Sequence, residues 1–216
     1  MARNNNFFTS SVGQKIIMSL TGLFLCSFLT IHLIGNLSLF KNDNGVSFNS
    51  YSHFMSTNPI IRTIEIGLFL GFFYHIIQGL YLWRKNKNSR PVDYDVYELE
   101  QNTKFADRIA VLSGAVILFF LVAHLYTFFV PTRFYGETDS FKLVTEAFKN
   151  PYYVAFYLVA LILLAFHLKH GFQSAFQTLG LRIKRYKCLI DFVAVFFWLI
   201  IPIGFASMPI YFLLFF

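Results

Sequence analysis

Charge is scarce in this chain. Asp, Glu, Lys and Arg make up 13% of its 216 residues, where a soluble domain carries about a quarter. That shortage excludes an ordinary water-soluble globule. Cysteine is nearly absent as well, with only Cys26 and Cys188. No CxxCH occurs, which excludes covalent c-type haem attachment, and no CxxC pair offers zinc or an iron–sulfur cluster its ligands. The apolar runs contain no Glu-x-x-His, so a di-iron carboxylate bundle is excluded too. The net charge of +7 is not a nucleic-acid footprint, because the basic residues lie between apolar runs and form no face. No RNP-like or helix-turn-helix pattern argues otherwise.

What the chain has in abundance is apolar length. Hydrophobic residues reach 56%, 29 of the 216 residues are Phe, and mean hydropathy is positive. Five runs attain the roughly 20 residues that a spanning helix needs, at about 16–39, 61–84, 108–130, 153–179 and 189–214. The fold class is therefore all-α, an integral membrane bundle of five transmembrane helices in a single domain over 1–216. The first run is too long for a signal-peptide core and lacks an A-x-A-like cleavage site, so it is expected to be a retained helix. Between the first two runs, a short interfacial helix is expected around Tyr51 to Met55, with a turn at Asn58-Pro59. The segment from Arg84 to Arg108 reads as an aqueous loop, and residues 131–152 as a short exposed connection. Pro202, Gly204 and Pro209 predict a bend in the fifth helix.

Basic residues orient the bundle. Arg3, Lys15, Arg84, Lys85, Lys87, Arg90, Lys104, Arg108, Arg182, Lys184, Arg185 and Lys187 fall on one side. Lys41, Arg62, Arg133, Lys142 and Lys149 fall on the other. The positive-inside rule then sets the N-terminus in the cytoplasm and the C-terminus outside, in a multi-pass protein of the cytoplasmic (inner) membrane.

Five of the six histidines lie within the runs: His32, His75, His124, His167 and His170. Ionisable side chains at membrane depth are costly and usually mark function. His32 and His124 fall toward the outer ends of helices that run outward. His75 and His170 fall toward the cytoplasmic ends of helices that run inward. At 1.5 Å per residue the two layers are roughly 10–14 Å apart. A lone histidine of this kind is more often interhelical glue, but four in two matched layers suit the axial positions of two b-type haems. Zinc would need its ligands converged in one tetrahedral site. Gly22, Gly35, Gly79, Gly114 and Gly171 leave room beside the rings. His167, one turn from His170, is an alternative ligand, a propionate partner or a structural residue. His170 is favoured by its depth and by the adjoining Gly171. Lys169 is expected to snorkel.

LTGLFLCSFLTIHLIGN (20–36), FFYHIIQGLYLWRKNKNSRPVDY (72–94), LVAHLYTFF (121–129) and HGFQSAFQTLGL (170–181) together resemble the cytochrome b membrane-anchor subunit of succinate dehydrogenase/fumarate reductase. The resemblance is to its single-chain, five-helix, dihaem kind and covers the first four helices in order. It implies two haem b groups, with flavoprotein and iron–sulfur subunits docked on the cytoplasmic face. It also implies electron transfer between the nearest cluster and a membrane quinone, usually menaquinone. The dicarboxylate site of such an enzyme lies in another subunit. Carried over residue by residue, it assigns His75 and His170 to the haem nearer the cytoplasm and His32 and His124 to the outer one. Some fumarate-reducing members carry a glutamate two residues before the fourth-helix ligand. That place is Leu168 here, so no transmembrane proton route is carried over. A haem-free or structural-haem anchor, and a cytochrome b of another dehydrogenase, are the competing readings. The matched histidines speak against the first and the fourth-helix motif against the second.

Quinone chemistry needs a proton-exchanging group near an aqueous exit. Glu65 is the outer-side candidate, against a plain interfacial pairing with Arg62, and His53 reads as a surface residue. Arg84, Lys85 and Arg182 are candidate propionate partners. A reporter fused after Phe216 tests the orientation: activity is expected only in the form that works outside the cytoplasm, and cytoplasmic activity would invert the topology.

Overall fold

A bilayer core offers backbone groups no water, so a spanning segment must satisfy its own hydrogen bonds and becomes a helix. The computed structural model describes residues 7, 10–88 and 109–216. The described residues form α1 (Ser11–Asn36) with a tight extra turn at Leu37–Phe40, then α2 (Val46–Thr57) and α3 (Pro59–Asn88). They continue with α4 (Ala110–Phe134), α5 (Ser140–Phe148), α6 (Pro151–Thr178) and α7 (Lys184–Phe215). Five of these, α1, α3, α4, α6 and α7, are long and apolar enough to cross a membrane. The expected helices are all present, most of them longer than their apolar runs because polar ends continue the turn. Much of the Arg84–Arg108 loop lies outside the described residues.

The ends follow local chemistry. Ser10 caps α1 by accepting from Gly13 N. Asn58 and Asn150 open α3 and α6 in the same way: each side chain accepts from two backbone N–H groups of the first turn, and a proline follows at the first helical position. Proline there loses nothing, since that N–H has no helical partner. At the far end of α6, Gly180 takes φ 72°. Gly180 N donates to the Gln177 carbonyl and Leu181 N to that of Phe176, which closes the helix as a Schellman motif.

Two spans widen just before an internal proline. In α4, Val130 N–H reaches back five residues to the Leu125 carbonyl, ahead of Pro131. In α7, Ile201 N–H reaches Phe196 in the same way, ahead of Pro202. The proline ring cannot accept the carbonyl four residues back, and a π-type turn gives it room. The second of these lies in the helix whose prolines lead one to expect a bend; what the structure shows there is a widened turn.

Helix α6 is the hub. Its Val154, Tyr157, Ala160, Leu161, Leu168, Phe172 and Ala175 are buried, and it packs on α1, α4 and α7. Gly204 of α7 lies close enough to Leu33 of α1 that an added Cβ would crowd it. Helix α3 packs chiefly on α1, and Gln78 is its one buried residue. Ile64, Ile66, Leu70, Phe73 and Ile77 face outward, as a lipid-facing side requires.

Residues 131–152 differ from the exposed connection read from sequence. Helix α4 runs on to Phe134, and α5 buries Val144, Thr145 and Phe148. The apolar stripe of SFKLVTEAF is too short to have stood out, but α2 gives it a partner. Asn49 Nδ2 donates to Asp139 Oδ1 at 3.0 Å, Phe141 N donates to Asn49 Oδ1 at 2.8 Å, and Ser52 and Ser140 share a 2.7 Å bond. Asp139 also caps α5 by accepting from Lys142 N. The Lys142 N–H and the Asn49 amide hold its carboxyl below the ordinary carboxylate range.

Asp139→Ala is expected to cost about 1 kcal/mol or somewhat more, the typical value of a lost cap, read as a lower denaturation midpoint in detergent. Because the folded pKa is depressed, this stabilisation is present above the unfolded carboxyl's pKa. It is lost as pH falls through the folded value, so the gap between wild type and variant should close in acid.

Candidate functional site

The buried histidines meet in two tiers. In the first, His32 of α1 and His124 of α4 face each other with ring centroids 5.9 Å apart and planes at 83°. In the second, the ring set against His75 of α3 is that of His167 of α6, at 6.4 Å and 71°. Gly22, which faces His75, and His32 are ten residues apart on α1, as are Gly114 and His124 on α4. The tiers are thus separated by roughly 15 Å along the helices.

The second-tier rings are held through Nδ1. Thr21 Oγ1 lies 3.3 Å from His75 Nδ1, and Ser113 Oγ lies 3.4 Å from His167 Nδ1. Both hydroxyls already donate to carbonyls of their own helix, Thr21 to Ile17 or Met18 and Ser113 to Ala110. They are left as acceptors, so each imidazole donates from Nδ1 and keeps its Nε2 lone pair for something else. Next to each hydroxyl is a glycine. A Cβ on Gly22 would meet His75 Cε1 at 3.3 Å, and one on Gly114 would meet His167 Cε1 at 3.5 Å. In the first tier, His124 Nδ1 pairs with Tyr157 OH at 2.8 Å. Asn36 Nδ2, which donates to the His32 carbonyl at 2.7 Å, lies 3.4 Å from that ring's Nδ1. Phe28, Phe205, Phe120 and Phe128 surround the first tier at centroid distances of 5.2–5.7 Å.

These pairs fit a bis-imidazole metal centre. Two axial imidazoles with metal–nitrogen bonds of about 2 Å leave their centroids roughly 6 Å apart, which is the spacing of both tiers. Among the described residues, no three His, Cys, Asp or Glu side chains converge to hold a metal ion. The donors come in twos.

The second tier has a sequence signature that the periodicity of single helices does not reveal. Leu20, Thr21, Gly22, Phe28, Leu29, His32 and Leu33 recur as Leu112, Ser113, Gly114, Phe120, Leu121, His124 and Leu125, each 92 residues on. At the same offset, Asn58-Pro59 recurs as Asn150-Pro151 and His75 as His167, while Gln78-Gly79 becomes His170-Gly171. The chain carries an internal repeat, and in its register His167 is the counterpart of His75. His170 is the counterpart of Gln78, one turn further along.

The other candidates lie apart from the tiers. Glu65 is paired with Arg62 near the start of α3; in the repeat it matches Tyr157, the partner of His124. His53 is exposed on α2. Lys169 Nζ lies 4.6 Å above the Trp198 ring. Lys85 Nζ donates to Ser11 Oγ and Gln14 Oε1, Arg182 pairs with Asp191 at 3.1 Å, and Arg84 is exposed.

Fold and site define a multi-pass membrane protein with two tiers of paired histidines. Over 203 residues the chain is 27% identical to the succinate dehydrogenase cytochrome b558 subunit of Bacillus subtilis (strain 168), covering 90% of this chain and 94% of that one. The chain is a homologue of that subunit. No protein-family model and no solved structure gives a significant match.

Tyr157→Phe removes the hydroxyl from His124 Nδ1. The expected loss is about 0.5–1.5 kcal/mol for a buried hydrogen bond, seen as a lower unfolding midpoint. An unchanged midpoint would show that the bond contributes nothing.

Proposed function

We propose that the chain is the membrane-anchoring dihaem cytochrome b subunit of a succinate dehydrogenase or fumarate reductase. It passes electrons between the iron–sulfur subunit and a membrane quinone, menaquinone by the family resemblance, while the dicarboxylate site resides in the flavoprotein. The observation that carries this reading is the pair of histidine tiers, each at bis-imidazole spacing, in a homologue of a cytochrome b subunit. His32 and His124 hold one haem b, and His75 and His167 hold the other. His167 takes the place that its depth and glycine neighbour had suggested for His170, because it shares both the facing geometry and the repeat register of His75.

A haem b bound in each tier supplies a one-electron carrier whose potential its surroundings tune. The chain's own residues do the rest. Thr21 and Ser113 fix the ring tautomer and orientation, and the phenylalanines keep water from the first tier. His32 and His124 would hold one such carrier and His75 and His167 the other, at two levels of the same bundle. The basic residues of the N-terminus and of segments 84–108 and 182–187 support, by the positive-inside rule, a cytoplasmic side for the second tier, facing the iron–sulfur and flavoprotein subunits. On the opposite side, Glu65 exchanges protons with the quinone; its repeat counterpart, Tyr157, bonds to His124, which supports a similar depth for Glu65.

Haem content per chain separates the assignments. His32→Ala, His75→Ala, His124→Ala and His167→Ala are each expected to lose one haem of two, while His170→Ala keeps both. Full haem in His167→Ala with loss in His170→Ala would return the ligand role to His170. Glu65→Gln should keep both haems and slow quinone turnover by about 10²-fold or more, the general acid–base range being about 10²–10⁴-fold. Wild-type turnover would remove Glu65 from the reaction.

A further inference from the structure

Gln78 is 9% exposed and is the one buried residue of α3. Its Nε2 has no hydrogen-bond partner. Buried polar groups are nearly always satisfied, and an orphan donor calls for an acceptor that the protein itself does not supply. Only one other buried side-chain donor among the described residues lacks a partner, Arg182 Nε, and that guanidinium is already paired with Asp191. Gln78 has no such pairing.

Its place says what the acceptor is. Gln78 follows His75 by three residues, so it lies on the same helical face. It sits about 4.5 Å further along the axis. The repeat puts His170 in the same position relative to His167, and both halves read H-x-x-[Gln/His]-Gly. Two side chains able to donate N–H therefore stand one turn beyond the second tier, one from each helix that supplies a ring to it. A planar group gripped between His75 and His167 brings its rim to this level. The rim of a haem carries carboxylates, strong acceptors that need donors where water is excluded.

We infer that Gln78 Nε2 donates to a propionate carboxylate on the rim of the haem held between His75 and His167, and that His170 takes the matching position from α6. This rests on the dihaem reading above. It gives His170 a role as a rim residue, and it gives the repeat two functional levels in each half: a ring that ligates and a donor that holds the edge.

The experiment uses the full chain with its partner subunits. Wild type, Gln78→Leu and Gln78→His are compared by haem count and by redox titration of the two haems. Leucine keeps the bulk and removes the donor; histidine restores a donor of the kind that α6 carries in the same register. Gln78→Leu is expected to lower the midpoint potential of one haem or weaken its retention, because an unpaired propionate favours ferric iron. The other haem should be unmoved, and Gln78→His should return toward wild type. Wild-type potentials and retention in Gln78→Leu would overturn the inference. So would equal damage in Gln78→Leu and Gln78→His, which marks a packing role. A wild-type chain holding fewer than two haems would overturn the dihaem reading, and this inference with it.

Discussion

An imidazole in hydrocarbon has two nitrogens to satisfy and almost nothing to satisfy them with. The bundle meets this constraint by giving each Nδ1 a neighbour, and the rest of the structure follows from that arrangement. Thr21 and Ser113 act as acceptors for His75 and His167 because their own protons are committed to the backbone. Each is followed by a glycine that lets the opposing ring approach its helix. Tyr157 serves His124 from the hub helix. With one nitrogen held, the rings of each pair face each other at the separation that one metal atom between them requires.

The internal repeat explains how a chain this short builds two such levels. One half contributes α1 and α3, the other α4 and α6, and each carries a ring for both tiers. Every pair therefore joins the two halves: His32 with His124, and His75 with His167. Paired caps at Asn58-Pro59 and Asn150-Pro151 start the returning helices at equivalent points, which keeps the second rings level. Helix α7 lies outside the repeat and closes the bundle against α6, with Phe205 lying 5.5 Å from His32. The short helices α2 and α5 also fall in matching places and are bonded to each other through Asn49 and Asp139.

Much of this was legible in the residues. Apolar run length yields all five spans, Asn58-Pro59 and Asn150-Pro151 announce where two helices begin, and Pro202 follows the widened turn of α7. Helix α5 was not visible, because a nine-residue amphipathic stretch between a proline and an Asn-Pro reads as a loop until α2 supplies its partner. The choice between His167 and His170 was hidden for another reason. Depth along a helix is uncertain by about a turn, and the two histidines are less than a turn apart. In the structure it is the His167 ring that is set against His75, the same two positions that the 92-residue register pairs. Lys169 reads as a snorkelling residue, and the structure gives it the Trp198 ring as a specific partner.

The central claim is that the paired imidazoles are axial ligands. The most direct measurement is a reduced-minus-oxidised spectrum of the purified wild-type chain, made with ample haem and its partner subunits, together with a pyridine haemochrome count. Two low-spin haem b groups per chain, with bis-histidine bands, are the predicted result. A chain without haem under those conditions would contradict the account and leave a bare anchor whose histidines only pack.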